Sequence, residues 1–150
     1  TGATHTVVAG RAGQLIFDPE NVVAEIGDII EYHYLPKNHS VVQSSFDEPC
    51  KPLADGSGFF SGFMPTTPEQ GQNPNVFSVT VTDKKPIWFY CSQTVGNHCQ
   101  MGMAGVVNQN FDGPNTLAAY KKKAAGTGVS VSPPYIQGGV VKPNPNPTSG

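Results

Sequence analysis

Residues 75–91 read NVFSVTVTDKKPIWFYC. The first part alternates without a break. Val76, Ser78, Thr80 and Thr82 fall on one face, Phe77, Val79 and Val81 on the other. A period of two is the pleat of a half-buried β-strand. The stretch 86–91 is denser in strand-forming residues and sets Ile87, Phe89 and Cys91 on one side. No long helical period separates the two, which argues against a parallel α/β sheet.

Outward from this pair the chain reads as short strands broken by Gly, Pro, Asp and Asn. They are predicted at 5–9, 14–17, 22–26, 39–44 and 105–108. Residues 28–35 alternate again, with Ile30, Tyr32 and Tyr34 on one face. Glu31 and His33 take the other, which is expected to face solvent. Residues 46–74 carry Pro at 49, 52, 65, 68 and 74 and Gly at 56, 58, 62 and 71, the mark of a long connection. Turn signals every eight to twelve residues or so predict an all-β, Greek-key β-sandwich.

One short helix is expected at 116–125, with Asn115 as its N-cap and Gly126 as its stop. The closing stretch 127–150 holds five Pro, four Gly and three Ser. It reads as an extended tail, in which 129–135 can lie along the body. The domain division is therefore 1–126 for the folded domain and 127–150 for the tail.

Composition narrows the function. The chain has 150 residues, one ordinary domain, with 13% charged residues, 17 Gly and 14 Pro. Helical bundles and coiled coils are excluded by that balance and by the lack of heptads. No apolar run reaches the ~20 residues that span a bilayer. Up to residue 113 five basic side chains face eleven acidic ones; beyond it come four Lys and no acid. A mildly acidic body does not suit nucleic acid. The run Lys121-Lys122-Lys123 reads as a solvated helix face. The chain opens at Thr1-Gly2-Ala3, as either a processed, mature form or an excised piece of a longer chain would. Cys50, Cys91 and Cys99 make an odd set. In a secreted chain that suggests one disulfide and one thiol with its own task; in a cytosolic one, three thiols.

The chemistry concentrates at 91–103, CSQTVGNHCQMGM, just past the aromatic strand. Cys91, His98 and Met103 lie within it, and His39 lies beside a separate strand upstream. Taken singly, each is ordinary: a turn histidine, a buried thiol, a core methionine. Together they form a three-plus-one donor set. One thiolate, two imidazoles and a weak thioether are the ligands of a mononuclear type 1, or blue, copper ion. Soft sulfur favours Cu(I) and imidazole keeps Cu(II) acceptable. His5 and His33 are left with no metal role. His5 is not N-terminal, so an amine-plus-imidazole copper clamp is not available.

Three segments carry a resemblance: 5–10 (HTVVAG), 38–50 (NHSVVQSSFDEPC) and 98–103 (HCQMGM). They resemble the cupredoxins, and more closely the fungal secreted cupredoxin-like, or extracellular serine-rich, proteins, which are similar to plant phytocyanins. The likeness runs over about residues 5–125. It implies His39, Cys91 and His98 as equatorial ligands, Met103 as the axial one, and a Cys50–Cys99 disulfide. Six residues separate Cys91 from His98, a longer loop than in most blue copper proteins. Met103 stands where the stellacyanin branch has Gln, which implies a higher reduction potential.

The expected function is one-electron transfer by a secreted protein with one copper ion. The partner is a redox protein or a small-molecule reductant, and the chain is expected to be monomeric, without enzyme activity. A multicopper oxidase needs paired His-x-His motifs, and the chain has none. A binuclear copper centre needs two bridging thiolates. The other reading is an extracellular copper-binding, scavenging or cell-wall protein without a redox partner. Asn38-His39-Ser40 is a glycosylation sequon, expected to be unused beside a ligand. Ser40 and Ser92, each following a ligand, are expected to hydrogen-bond and pin the two ligand turns together.

Overall fold

The computed structural model describes residues 2–145. Along the chain come β1 (Thr4–Ala9), β2 (Phe17–Asp18), β3 (Asn21–Val22), β4 (Ile29–Tyr34), β5 (Asn38–His39), β6 (Val42–Ser44), β7 (Met64–Pro65), β8 (Asn75–Thr80), β9 (Ile87–Tyr90), β10 (Ala104–Val107), α1 (Leu117–Ala125) and β11 (Val140–Pro143). One sheet has the order β11-β8-β4-β1-β2, and the facing sheet runs β3-β10-β9-β6. A small ribbon, β5 with β7, sits beside them. β1 runs parallel to β4 and β3 parallel to β10; the other pairs are antiparallel. This is the Greek-key β-sandwich expected from the turn spacing.

The alternation in 75–91 builds the two cores. Phe77, Val79 and Val81 point between the sheets, where they join Tyr32, Tyr34, Phe17, Phe89 and Cys91. The other face of β9 sends Trp88 and Tyr90 outward into a second core, roofed by Leu117, Tyr120 and Ala124 of α1. Those three positions share one stripe of the helix. Tyr120 stacks on Trp88 at 5.2 Å between centroids, with 5° between planes, and its hydroxyl meets Ser44 Oγ at 2.5 Å. The N-cap is Thr116, whose hydroxyl accepts from Ala119 N at 3.2 Å, and not the expected Asn115. Either residue type can cap. Starting at Leu117 is what turns Leu117, Tyr120 and Ala124 onto the sheet.

Other expectations shift. The strand expected at 14–17 shortens to Phe17–Asp18, and that at 22–26 to Asn21–Val22. Glu31 and His33 are buried, not exposed. His33 Nε2 lies 2.7 Å from Glu31 Oε1, and His33 Nδ1 is 3.3 Å from Gln72 Oε1. The cover comes from residues far along the chain. Lys142 Nζ approaches Glu31 Oε2 at 3.7 Å, and Asn144 Nδ2 donates to Gln72 Oε1. Much of the segment expected as a tail thus belongs to the body. Phe60 and Gln137 form a bridge, and β11 is an edge strand on β8. The part of that expectation covering 146–150 lies outside the described residues. His5 pairs with Asp28 at 2.8 Å.

The second core makes a definite demand on stability. Tyr120→Ala removes a buried ring, its stack on Trp88 and the partner of Ser44. It is expected to cost ~3–5 kcal/mol, read as a lower midpoint in chemical denaturation. Tyr120→Phe, which loses only the hydroxyl, should cost ~1–2 kcal/mol.

Candidate metal centre

The β6–β9 ladder sets the site. Val42 pairs with Tyr90, so Ser40 and Ser92 come opposite each other just beyond the last paired residues. Their hydroxyls are 2.8 Å apart, and the Ser92 N–H donates to Ser40 Oγ at 3.0 Å. This is the contact expected from the sequence. It ties the residue after His39 to the residue after Cys91. The backbone N–H of Ser40 also points at Cys91 Sγ, at 3.4 Å.

His39 is fixed on three sides. β5 pairs it with Met64. Its Nε2 lies 3.3 Å from the Pro36 carbonyl, which accepts the ring N–H. That leaves the Nδ1 lone pair facing Cys91 Sγ at 4.0 Å. Such an outer hydrogen bond fixes tautomer and ring orientation together. Gly10 forms the third wall. A Cβ there would stand 2.5 Å from His39 Nε2, and φ at Gly10 is +88°.

The long loop after Cys91 is compact. Gly96 and Asn97 both take positive φ, 85° and 49°, and turn the chain back. His98 N–H then donates to Gln93 O, Met103 N–H to His98 O and Cys91 N–H to Met103 O. His98 Nδ1 thereby reaches 3.5 Å from Cys91 Sγ. The donor atoms of His39, Cys91 and His98 all lie within 4.8 Å of one another. Exposure is 3% for His39, 0% for Cys91 and 8% for His98. Met103 is fully buried in the inner core, whereas Met101 is 70% exposed. Cys50 and Cys99 form a disulfide, and Cys91 is the free thiol among the described residues.

Burial sets the electrostatics. It lowers His39 to a pKa of about 4, helped by the neighbouring His98. It lowers His98 as well. Burial pushes the Cys91 thiol up, while hydrogen bonds from the Gln93 and Ser40 backbones and the Ser40 hydroxyl oppose the rise. The imidazoles are therefore neutral at ordinary pH, with lone pairs free to coordinate. Neutral nitrogens and one ionisable sulfur, converging in a buried pocket, fit a soft or borderline metal ion and do not resemble a hard-cation site.

No protein-family profile matches the chain. It is 37% identical over 147 residues to "Probable GPI-anchored cupredoxin-1" of Arthroderma benhamiae, covering 98% of this chain and 72% of that protein. The chain belongs to the cupredoxins. A second relative in the same fungus, "Extracellular serine-rich protein", is 37% identical over 138 residues, though the chain spans only about half of it, 51%. Among solved structures, dithionite-reduced auracyanin of Roseiflexus castenholzii matches the fold with a TM-score of 0.50 at 16% identity, over 71% of this chain and 97% of that one. The resemblance read from the three sequence segments thus holds. A His-Cys-His cluster in a cupredoxin fold points to copper binding.

The sequence reading missed Gly10 as a wall for His39. A Gly directly after a β-rich run was the available signal, but nothing local said which side chain would press against it. Gly10→Ala is expected to tilt the His39 ring and weaken copper uptake at least ~10-fold, measured by competition with a chelator of known affinity; a steric clash with backbone strain is a cost of a few kcal/mol. Removing the disulfide by Cys50→Ala with Cys99→Ala opens a loop whose ends are 49 residues apart. In the chain-entropy account that loop is worth ~4 kcal/mol, so the denaturation midpoint should fall accordingly.

Proposed function

We propose that this cupredoxin is an extracellular one-electron carrier with a single type 1 copper ion. His39 Nδ1, Cys91 Sγ and His98 Nδ1 would serve as its strong ligands and Met103 as its weak one. The observation that carries this reading is the convergence of the three donor atoms within 4.8 Å in a buried pocket built by loops that are already cross-linked. Copper there would supply the Cu(II)/Cu(I) couple. The chain supplies the rest. It keeps both imidazoles neutral, holds the sulfur between two loops and keeps water out. A site tied this firmly changes little between oxidation states, which is the property an electron carrier needs.

Met103 is preferred over Met101 because it is buried in the same core as Cys91, while Met101 faces solvent. The names of the relatives support an extracellular or surface-anchored setting. Among the described residues no helix is long and apolar enough to cross a membrane. A copper-scavenging or wall-associated role without a redox partner is the second reading. A fast electron self-exchange rate favours the carrier, and a slow one the scavenger.

The test is spectroscopic. Adding Cu(II) to the apoprotein with its disulfide intact should give an intense thiolate-to-copper band in the visible, and Cys91→Ser should abolish it. A Cys91→Ser protein that keeps the intense colour overturns the ligand set. Met103→Gln should lower the reduction potential, while Met101→Gln should leave it in place. Because burial keeps the thiol protonated and the imidazoles neutral near pH 7, copper binding should release about one proton, from Cys91. Proton release in weakly buffered solution measures this, and Cys91→Ser should eliminate it.

A further inference from the structure

The segment that follows α1 does more than cover apolar surface. It is fastened at a series of points, each near a residue of the metal centre in sequence or tied to one by the disulfide. Ser130 Oγ donates to Gln100 Oε1, within the loop between His98 and Met103. Val131 N–H donates to Cys50 O, at the disulfide. Tyr90 OH donates to Val131 O at 2.5 Å, and Tyr90 directly precedes Cys91. Ser132 Oγ donates to Ser92 Oγ at 2.7 Å, and Ser92 directly follows Cys91. The thiol is thus bracketed on both sides by contacts from one distant stretch of chain.

The direction of the last contact matters. Ser132 gives its proton to Ser92 Oγ, which leaves the Ser92 hydroxyl free to donate to Ser40 Oγ, 2.8 Å away. Ser40 Oγ also accepts the Ser92 N–H at 3.0 Å, which holds the Ser40 backbone where its own N–H donates to Cys91 Sγ at 3.4 Å. In that arrangement Ser132 and Ser92 each give their one hydroxyl proton once. Chains of this kind polarise one another, so the first donor strengthens the last bond.

We propose that Ser132 is a positioning residue of the metal centre, heading a chain of three serine hydroxyls, Ser132, Ser92 and Ser40, that holds the Ser40 backbone N–H on the Cys91 sulfur. The proposal rests on Cys91 being a copper ligand as set out above. A hydrogen bond to a thiolate draws electron density from the sulfur and so favours Cu(I), and such bonds are among the levers that set the potential of a site of this type. Ser132 never touches the metal. It acts through Ser92 and Ser40, and it makes the segment after the helix a working part of the site.

The test compares Ser132→Ala with Ser132→Thr, which keeps the hydroxyl. In the apoprotein, amide hydrogen exchange at Ser40 and Ser92 should be ~5-fold faster in Ser132→Ala and close to the parent rate in Ser132→Thr, as expected for loss of one supporting hydrogen bond. In the copper-loaded protein, Ser132→Ala should move the intense band to longer wavelength and lower the reduction potential, and Ser132→Thr should restore both. Unchanged exchange in Ser132→Ala overturns the proposal. So does faster exchange with an unmoved band and potential, because the contact would then be merely structural. If the parent protein itself gives no intense band, the copper reading fails. The exchange measurement still reports separately on whether Ser132 holds the two ligand turns, and unchanged rates there sink this proposal too.

Discussion

The register of β6 on β9 is the constraint on which the rest of the metal pole depends. Pairing Val42 with Tyr90 brings Ser40 and Ser92 face to face, and His39 and Cys91 follow as their neighbours. A slip of one residue would exchange the two faces of β9. Trp88 and Tyr90 would then crowd the space between the sheets, and the thiol would point out under α1. Two apolar cores, one on each face of the strand, oppose that slip. The chemistry of Cys91 is thus secured by side chains that never approach it.

Burial of the site follows from the same arrangement. A thiol with no exposed surface, flanked by two imidazoles almost as deeply buried, is an environment that disfavours charge. Protons leave the histidines and stay on the sulfur. Orientation is settled by neutral contacts: the Pro36 carbonyl at the Nε2 edge of the His39 ring, the close approach of Gly10, and the hydrogen-bonded turn carrying His98. Preorganisation of this kind removes the cost of gathering ligands at the moment of binding.

How much of this was legible in the sequence depended on distance along the chain. The period-two run in 75–82 and the aromatic strand ending at Cys91 specified their own elements and their inward faces. The run from Cys91 to Met103 marked a candidate donor set, of which the structure gathers Cys91 and His98 with His39, and the serines after His39 and Cys91 marked the tie between turns. His33 was misjudged because alternation within 28–35 says which residues share a face but not what arrives to cover it. Gln72, Lys142 and Asn144 do so, from distant parts of the chain. Gly10 was invisible for the same reason, since its neighbour is His39 and not a residue near it in sequence.

The stretch after residue 126 shows where composition misleads. Pro, Gly and Ser argue against helix and against a buried strand, and most of the segment's described residues, 127–145, form neither. That is a statement about repeating backbone hydrogen bonds, not about order. A segment without a repeat can still be held, provided its donors and acceptors find partners one at a time. Here Val131 takes the Cys50 carbonyl and the Tyr90 hydroxyl, Gln137 exchanges backbone hydrogen bonds with Phe60, and only at Val140 does a regular ladder begin. Proline suits such a path, since it has no N–H to satisfy and less conformational freedom to lose. Even without a ladder, Ser130 and Ser132 turn inward and the Val131 side chain outward, the alternation an extended backbone imposes. In this strap both serines reach partners beside the ligands, and the Val131 backbone bridges the disulfide and the strand that carries the thiol.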